Sequence, residues 1–334
     1  MTRVLITGAT GGLGRNAVAR ALYGGWQVTA TGRRGDALTE LGAMGAKTYQ
    51  ADLVSLPEKV LLSLTDLQDV VWHCAALASP WGPRETFIAA NVDMPARLFE
   101  AAARAGVPTF VHVSSPALYF DFQHHHLINE SYRAKRFASY YAESKALGED
   151  RLQALALAYP GTRLVILRPR MIFGPHDQVL FPRVLELLAR SGDRLVLPDG
   201  GKAVVDMVYV ENVVEAMVLA SKAEMASGSV YNISNAESVV LRDALTRFLA
   251  AMGRKVQILS VPHPILRGAA FVVERLASLT GTEPALTQHT LGGMAYHMTL
   301  DIRAAVDQLG YNPAISLEEG LRRTAGWFAS QGTA

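Results

Sequence analysis

The sequence predicts an α/β fold, with a doubly wound parallel sheet covered by helices on both faces and a smaller mixed domain towards the carboxyl terminus. Two patterns in its 334 residues support this fold class. Short apolar segments alternate with helical patterns through the first half, as in a parallel sheet whose strands are joined by helical crossovers. These segments are rich in Val, Ile and Leu without strict polar alternation, which is typical of strands buried on both faces.

The predicted elements of this sheet follow one another regularly along the first half of the chain. Strands are expected at 3–7, 27–31, 70–72, 109–115 and 164–169. Helices are expected between them at 13–23, 36–43, 93–105 and 139–157. Together they predict one doubly wound domain over residues 1–175.

The pattern loosens after residue 175, where a smaller and less regular domain is predicted over 176–334. A helix near 180–190 precedes a turn at Asp199-Gly200-Gly201. A strand over 204–210 and a helix over 211–220 follow this turn. The chain is expected to return to the first domain around 204–236.

Composition and charge exclude several classes of protein. The 32 basic and 30 acidic residues leave a net charge of +2, too little for the phosphate-neutralising surface of a nucleic-acid-binding protein. The single cysteine, Cys74, can form neither an internal disulfide nor a multi-thiolate zinc site. No signal peptide is predicted, and three charged residues interrupt the longest apolar stretch, 264–279. We expect a soluble, cytoplasmic protein.

Three consecutive histidines, His124-His125-His126, are the one compositional oddity of the chain. No nearby acidic or cysteine cluster would complete a metal coordination shell around them. We therefore predict a solvated loop here and no metal site.

A glycine-rich turn directly follows the first predicted strand and opens the first predicted helix. At this position of a Rossmann-type fold, a dinucleotide pyrophosphate meets free backbone N–H groups. Gly8 would permit the tight turn, Gly11 a close approach of the phosphate, and Gly14 the packing of helix on strand. A purely structural turn is the alternative. The candidate cofactor-binding residues here are Gly8, Thr10, Gly11, Gly12, Leu13 and Gly14.

Two arginines, Arg33 and Arg34, follow the second predicted strand. In NAD-binding domains an acidic residue stands near this point and binds the ribose 2′-hydroxyl. A guanidinium instead offers planar, charged donors to the 2′-phosphate of NADP. The pair therefore favours NADP(H) over NAD(H), with Arg33 as the leading contact, unless both arginines only coat a surface loop.

Two further strand ends carry cofactor candidates. Asp52, next to Leu53, follows another candidate strand and could accept a hydrogen bond from the adenine amino group. Ala75 and Ala76 follow the strand at 70–72, and their small side chains would let a ribose approach the backbone. Cys74 is interpreted as a buried core thiol without a catalytic role.

A tyrosine and a lysine in the 139–157 helix are the catalytic candidates. Tyr141 and Lys145 are four positions apart and therefore share one helix face. Upstream, the predicted strand that ends at Ser114-Ser115 would bring a hydroxyl to the carboxyl edge of the sheet, where ligands bind in such folds. An exposed Tyr/Lys face without function is the alternative.

Taken together, these motifs resemble the extended group of the short-chain dehydrogenase/reductase superfamily, which includes the NAD-dependent epimerases and dehydratases. The resemblance spans nearly the whole chain. The matching segments are Gly8-x-x-Gly11-x-x-Gly14, Asp52-Leu53, His73-Cys74-Ala75-Ala76, Asn91-Val92, Ser114-Ser115, Tyr141-x-x-x-Lys145, Arg168-Pro169, Phe173-Gly174-Pro175 and Asp206-Met207-Val208-Tyr209-Val210.

The resemblance implies a role for each catalytic candidate. Tyr141 would donate or accept the proton, Lys145 would support it electrostatically and bind the nicotinamide ribose, and Ser115 would orient the substrate oxygen. Asn91 is expected to be a positioning residue near the cofactor, with Pro169 and Met171 as further cofactor contacts. Residues 1–175 would bind the cofactor and 176–334 mainly the substrate. A homodimer is expected by analogy.

Tyr141 can act as a base near neutral pH only if its pKa falls. An unperturbed tyrosine has a pKa near 10. We expect the positive charges of Lys145 and of the oxidised nicotinamide to lower it.

The substrate is expected to be hydrophobic. His73-Cys74-Ala75-Ala76 followed by Trp81-Gly82, with the apolar 264–279 segment, resembles the 3β-hydroxysteroid dehydrogenase-like branch. This resemblance implies a steroid-like substrate or a long-chain 3-keto acid. Plain core packing of the apolar segment, or contact with a membrane surface, stays open. The alternative functions are a nucleotide-sugar epimerase or dehydratase and a non-catalytic NADP-sensing regulator. The apolar stripe is Ile265, Leu266, Ala269, Val272, Val273, Leu276 and Leu279.

Overall fold

The computed structural model describes residues 1–280, 284 and 286–332. The strands of its first half are β1 (Arg3–Thr7), β2 (Gln27–Gly32), β3 (Lys47–Gln50), β4 (Val70–His73), β5 (Thr109–Val113), β6 (His125–Ile128) and β7 (Arg163–Pro169). Those of its second half are β8 (Ile172–Phe173), β9 (Arg194–Pro198), β10 (Val204–Val205), β11 (Val208–Tyr209), β12 (Ser229–Ile233), β13 (Val239–Val240), β14 (Gln257–Val261) and β15 (Met298–Leu300).

The helices connect and cover these strands. In the first half they are α1 (Gly12–Tyr23), α2 (Gly35–Ala43), α3 (Glu58–Thr65), α4 (Arg84–Ile88), α5 (Met94–Arg104) and α6 (Tyr140–Ala158). In the second half they are α7 (Phe181–Ser191), α8 (Val210–Lys222), α9 (Leu241–Ala251), α10 (His263–Thr280), α11 (Gln288–Ala295), α12 (Arg303–Leu309) and α13 (Leu317–Ser330).

A parallel sheet is the largest layer of the described structure. Its seven strands lie in the order β12-β7-β5-β4-β1-β2-β3 and pair in parallel throughout. Val4 and Ile6 pack into one apolar core while Leu5, between them, packs into the core on the opposite face. The sheet is therefore buried on both sides, which confirms the predicted Rossmann-type α/β class.

A smaller mixed sheet lies beside the large one, as predicted, in the order β13-β10-β15-β6. It combines an antiparallel pair, β10 with β13, with parallel pairs of β15 to β10 and β6. Strand β12 and helix α8 belong instead to the larger layer, where α8 packs on the core formed with β1 and β4.

The single strand expected over 204–210 is wrong, because the segment divides into β10 and β11. Asp206 lies between them and is buried, with its carboxylate accepting hydrogen bonds from Ser238 Oγ and Leu300 N, both at 2.7 Å. This inward carboxylate separates the two short strands, so that β10 joins the small sheet and β11 pairs with β8.

The loop expected at His124-His125-His126 is also wrong, because His125 begins strand β6. The strand pairs with β15, and the ring of His297 lies 4.6 Å from that of His124 and 5.2 Å from that of His126. A partner about 170 residues away in sequence thus orders the segment.

Helix α10 carries the apolar stripe of the 264–279 segment on the surface. Ile265, Val272 and Leu276 are each more than half exposed, as is Phe271 beside them. Plain core packing is therefore excluded for these side chains, although Ala270 and Ala277 of the same helix are buried. The side chain of Leu279 lies outside the described part of the structure. Among the described helices, none combines the length and apolar character that a membrane crossing requires.

Candidate active site

The carboxyl edge of the large sheet carries the serine predicted to orient the substrate. β5 ends at Val113, and the next two residues differ in exposure: Ser114 is buried and Ser115 is half-buried. Ser115 caps the 3₁₀ turn Pro116–Tyr119, and its Oγ accepts a hydrogen bond from the Ala117 N–H at 3.2 Å. The hydroxyl proton of Ser115 therefore remains available to another acceptor.

Helix α6 brings the tyrosine and the lysine to the same edge. The helix is capped by Ser139, whose Oγ accepts from the Ala142 N–H at 3.2 Å. Tyr141 is half-buried and Lys145, one turn later, is 2% exposed. Ser115 lies close enough to Tyr141 for its side chain to lower the pKa of the phenol. The structure thus brings the three predicted catalytic residues into one site.

The expected lowering of the pKa of Tyr141 by Lys145 does not appear among the described groups. Burial raises the pKa of the Tyr141 phenol, and the hydrogen bond with Ser115 opposes the rise. Lys145 does not offset it, because its Nζ donates to the Val113 carbonyl oxygen at 2.9 Å. In this state Tyr141 is protonated at neutral pH and can serve as a proton donor.

Lys145 is buried one helical turn after Tyr141. Burial lowers the pKa of its ammonium to about 8, and the negative charge of Glu149 opposes that fall. The ammonium therefore still carries its proton at neutral pH, with one backbone carbonyl as its hydrogen-bond partner.

Two fully buried histidines lie near Lys145 at the ends of β4 and β5. The rings of His73 and His112 stack at 5.3 Å, and Thr7 Oγ1 hydrogen-bonds His73 Nδ1 at 2.6 Å. Burial, with the charge of Lys145, lowers the pKa of His73 to about 3 and that of His112 well below 6.5. Both rings are therefore neutral. His73 belongs to a segment that carries the family resemblance, but no role was predicted for either histidine.

Cys74 has no catalytic signature. It is a free cysteine, and burial raises the pKa of its thiol to about 12. A thiol that stays protonated is a poor nucleophile.

The glycine turn forms a cradle that excludes side chains. Gly8 has φ +65°, and a Cβ there would lie 2.7 Å from the Ala75 nitrogen. A Cβ on Gly14 would lie 2.1 Å from the Gly8 oxygen, and one on Gly12 would lie 2.8 Å from the His176 oxygen. The nearest atom to a Cβ on Gly11 is 3.4 Å away, so the protein itself constrains that position least. Gly11 is the residue predicted to face a phosphate.

Helix α1 starts from this cradle with its first N–H groups uncapped by side chains. Gly11 stands at the N-cap without a side-chain hydrogen bond, and the first turn contains no acidic residue. The positive end of the helix dipole is therefore available to an anion.

The arginine pair stands at the end of β2, where the sequence predicts it. Arg33 and Arg34 are exposed, and Arg34 Nε lies 3.8 Å from a carboxylate oxygen of Asp36. Arg33 makes no side-chain hydrogen bond or ion pair with the described residues. Asp52, at the end of the neighbouring strand β3, is exposed, and its Oδ1 accepts from the Val54 N–H at 3.2 Å.

Asn91 connects the loop after β4 to the catalytic helix. Its carboxamide accepts from the Leu77 N–H at 2.8 Å and donates to the Leu77 oxygen and to Ser144 Oγ, both at 3.0 Å. Ser144 Oγ in turn donates to the Tyr141 carbonyl oxygen at 2.9 Å. Asn91 is 1% exposed, so its contacts are those of a positioning residue.

The remaining cofactor candidates lie around the same edge of the sheet. Thr10 packs against the end of β2, where a Cβ on Gly32 would lie 2.6 Å from it. Met171 has φ +45°, at the bend between β7 and β8. Thr10, Leu53 and Pro169 are buried, Leu13, Ala75 and Met171 are half-buried, and Ala76 is exposed.

Arg168, near the end of β7, belongs to a saturated polar network. Its guanidinium donates to Glu149, to Tyr119 Oη at 2.5 Å and to the Glu130 oxygen at 2.8 Å. Tyr119 Oη donates onward to Asn232 Oδ1 at 2.7 Å. These bonds raise the pKa of Arg168.

Arg170, two residues later, has a different environment. Its Nε and Nη2 are buried and have no hydrogen-bond partner among the described residues. Burial lowers the pKa of its guanidinium to about 10, while the nearby charge of Asp206 opposes the fall. No ion pair within 4.0 Å joins the two residues.

Aromatic side chains line the wall that follows the Ser115 turn. Phe120 lies next to that turn, with ring centroids 4.9 Å from Phe122, 5.9 Å from Tyr296 and 6.0 Å from His289. His289 and Tyr296 belong to α11 and the residue after it. The second half of the chain therefore contributes an aromatic surface beside the catalytic edge.

Comparison with known families decides the classification. A model of the NAD dependent epimerase/dehydratase family matches residues 4–234, more than half of the chain. The chain belongs to this family. The extended short-chain dehydrogenase/reductase resemblance of the sequence is thereby confirmed.

Individual relatives cover the chain almost completely. An uncharacterized protein, YbjS, of Escherichia coli K12 is 43% identical over 99% of this chain and 98% of its own. A 2-alkyl-3-oxoalkanoate reductase of Shewanella oneidensis is 32% identical over 97% of this chain and 85% of its own. Further relatives include 3β-hydroxysteroid dehydrogenase/decarboxylases, as the branch resemblance implies.

Solved structures share the fold. UDP-glucuronic acid 4-epimerase of Bacillus cereus, in complex with NAD, superimposes with a TM-score of 0.79. It is 19% identical, with 98% of this chain and 97% of that chain covered.

The family implies a nicotinamide dinucleotide, and the residues present fit one. Gly8 and Gly14 have no room for a side chain because backbone packs against them, whereas the nearest atom to a Cβ on Gly11 is 3.4 Å away, which leaves Gly11 the glycine to face a ligand. Helix α1 presents uncapped N–H groups to it. The sequence reasoning found this cradle and the catalytic residues, but gave no role to Arg170 or His289.

Proposed function

We propose that the protein is an NADP(H)-dependent oxidoreductase that interconverts a ketone and a secondary alcohol on a hydrophobic 3-keto or 3-hydroxy substrate. The observation that carries the proposal is the meeting of Ser115, Tyr141 and Lys145 at the sheet edge. The cradle of α1 lies at that same edge, and Asn91 connects the intervening loop to α6.

Each residue of the site has one task. Tyr141 gives its phenolic proton to the substrate carbonyl oxygen during reduction and takes it back during oxidation. Ser115 donates a hydrogen bond to the same oxygen as negative charge develops there. Lys145 keeps a positive charge beneath the tyrosine and binds the nicotinamide ribose. A bound nicotinamide supplies the hydride in reduction and accepts it in oxidation.

The choice of NADP(H) is supported by charge at the end of β2. Arg33 is exposed, so its guanidinium is free to reach a 2′-phosphate. Asp52, on the next strand, is then the candidate for the adenine amino group.

The choice of a hydrophobic substrate is supported by relatives and by surface. One relative is named a 2-alkyl-3-oxoalkanoate reductase, and others are named 3β-hydroxysteroid dehydrogenase/decarboxylases. The aromatic wall of Phe120, Phe122 and Tyr296 offers an apolar lining, and α10 adds an exposed apolar face.

The test follows NADPH oxidation with a long-chain 2-alkyl-3-oxoalkanoate, a 3-ketosteroid and a panel of nucleotide sugars. We expect turnover of at least one hydrophobic ketone, with a kcat/KM for NADPH at least tenfold above that for NADH. Tyr141→Phe should abolish turnover while leaving the Kd for NADPH within twofold, because the ring stays and the proton is lost. Arg33→Ala should reduce the preference for NADPH.

The alternatives predict other outcomes in the same assay. Turnover of nucleotide sugars alone would indicate an epimerase or dehydratase. Tight NADPH binding without turnover of any class would indicate a cofactor-sensing regulator. A Tyr141→Phe variant with near-normal kcat would contradict the proposed proton transfer.

A homodimer, formed through α5 and α6, is proposed by analogy with relatives. Light scattering coupled to size-exclusion chromatography measures the molar mass, and a monomer of 36.1 kDa would contradict it.

A further inference from the structure

Arg170 is half-buried, and two nitrogens of its guanidinium are buried without a hydrogen-bond partner among the described residues. Its backbone is fixed, since its N–H donates to the Ile233 oxygen at 3.0 Å. Its side-chain Nε and Nη2 are shielded from solvent and lack hydrogen-bond acceptors. Buried guanidinium groups normally have a full set of hydrogen-bond acceptors. A buried donor without an acceptor costs more free energy than a typical hydrogen bond contributes.

The nearest carboxylate does not fill this role. Asp206 is held by Ser238 Oγ and Leu300 N, one to each of its oxygens, both at 2.7 Å. It stays beyond ion-pair distance of Arg170 and only supports its charge from there. No carboxylate of the described residues therefore satisfies Nε or Nη2 of Arg170.

A second unpartnered group stands near the first. His289 Nδ1 is buried and also lacks a hydrogen-bond partner among the described residues. Burial and the charge of Arg170 together lower the pKa of His289 to about 4, so the ring is neutral. A neutral imidazole can donate one hydrogen bond to an oxygen that the guanidinium also binds.

This pair of donors lies beside the catalytic site. Arg170 follows β7 directly, and β7 neighbours β5, which leads to Ser115. The His289 ring packs on Phe120 at 6.0 Å, and Phe120 follows the turn that Ser115 caps. Two unsatisfied donors thus border the aromatic wall on the substrate side.

We propose that Arg170, assisted by His289, binds a carboxylate of the substrate, so that this site takes a keto acid in preference to a neutral ketone. The inference rests on the proposed ketone reduction and assigns the residues that recognise the acid group among the substrates proposed above. Arg170 acts in recognition and takes no part in the proton transfer. Carboxylate and guanidinium match in planar, bidentate geometry, which makes the Arg side chain hard to replace even with Lys.

The experiment compares a long-chain 3-keto acid with its methyl ester, which keeps the chain and the ketone but removes the charge. Wild-type protein should show a kcat/KM for the acid at least tenfold above that for the ester. Arg170→Met should lower the value for the acid about a hundredfold and leave that for the ester within threefold, since only the acid loses its partner. Arg170→Lys should give an intermediate loss, and it carries the test if the Met variant does not fold.

Arg190→Met is the matched control, because Arg190 is exposed on α7 and, among the described residues, forms an ion pair with Glu186 alone. It should leave both substrates unchanged. Equal losses for acid and ester in Arg170→Met would overturn the carboxylate assignment while leaving the ketone reduction intact.

Binding provides a readout independent of turnover. Calorimetric titration of the protein with the long-chain 3-hydroxy acid should show tighter binding to wild type than to Arg170→Met, by at least tenfold in Kd. If wild type reduces neither acid nor ester, the proposed function fails, and this titration still tests the carboxylate site by itself. Equal Kd values for the two proteins would overturn it.

Discussion

Two arginines separated by a single residue occupy opposite chemical environments. Arg168 shares its donors among Glu149, Tyr119 and the Glu130 backbone, and its pKa rises. Arg170 leaves Nε and Nη2 without acceptors, and its pKa falls to about 10. Arg168 is thus a charge whose hydrogen bonds stabilise the fold. Arg170 is a charge for which the described protein leaves hydrogen bonds unmade. Lys145 is intermediate between the two arginines in its hydrogen bonding, because its ammonium has one partner, the Val113 carbonyl oxygen.

The largest expected effect is on the saturated arginine. Arg168→Met leaves the buried Glu149 carboxylate without its partner, which should lower the free energy of unfolding by about 3–5 kcal/mol. Urea titration followed by far-UV circular dichroism measures this change. Arg133→Met is the control, because its ion pair with Asp150 is exposed and should contribute less than about 1 kcal/mol. Equal losses of unfolding free energy in both variants would contradict the stabilising role given to Arg168.

The burial of Lys145 should make the free energy of unfolding depend on pH. The pKa of Lys145 is about 8 in the folded protein against 10.5 for an ordinary lysine. Between those values the unfolded chain binds the proton and the folded chain does not, so raising the pH favours folding. The free energy of unfolding of wild type relative to Lys145→Met should therefore rise by up to about 3 kcal/mol from pH 8 to 10.5.

That difference is measured by urea titrations of both proteins at matched pH and ionic strength. The Met variant removes every other alkaline titration from the comparison. A flat or falling difference across this range would mean that Lys145 is well solvated or fully paired.

The smallest effect on stability is expected for the unsatisfied arginine. Arg170→Met removes two buried nitrogens, Nε and Nη2, that have no hydrogen-bond partner among the described residues, and puts an apolar side chain in their place. The free energy of unfolding should therefore stay within about 1 kcal/mol of wild type or increase slightly. The same urea titration tests it, and a loss comparable to that of Arg168→Met would show that Arg170 supports the fold.

The first half of the fold could be predicted from the sequence because its signals are local. The elements β1, α1 and β2 follow from a buried apolar segment, a glycine turn and a second apolar segment in immediate succession. Strand β6 was missed because its partner β15 lies about 170 residues away, and no local pattern reports that pairing. The division of 204–210 likewise depends on Asp206 meeting Ser238 and Leu300.

The candidate site likewise has features that the sequence predicts and features that it does not. Tyr141, Lys145 and a serine hydroxyl could be predicted from spacing and strand ends, and the choice of Ser115 from the family resemblance. The raised pKa of Tyr141 could not, because it depends on how deeply the phenol is buried and on Lys145 bonding to Val113. Arg168 and Arg170 look alike in sequence. Only the atoms around each guanidinium distinguish them.

The Asn91 carboxamide holds two elements of the candidate site together. It fastens the loop after β4 to α6, and a Cβ on Gly148 of that helix would lie 2.3 Å from the Asn91 carbonyl oxygen. The close approach of the Asn91 and Gly148 backbones, together with these hydrogen bonds, therefore fixes the distance between the loop after β4 and α6. The residues that we propose to face the substrate lie instead after β7, on α11 and in the turn after Ser115. Under this proposal, substitutions on those segments would change the substrate and leave the spacing of the cofactor loop and α6 unchanged.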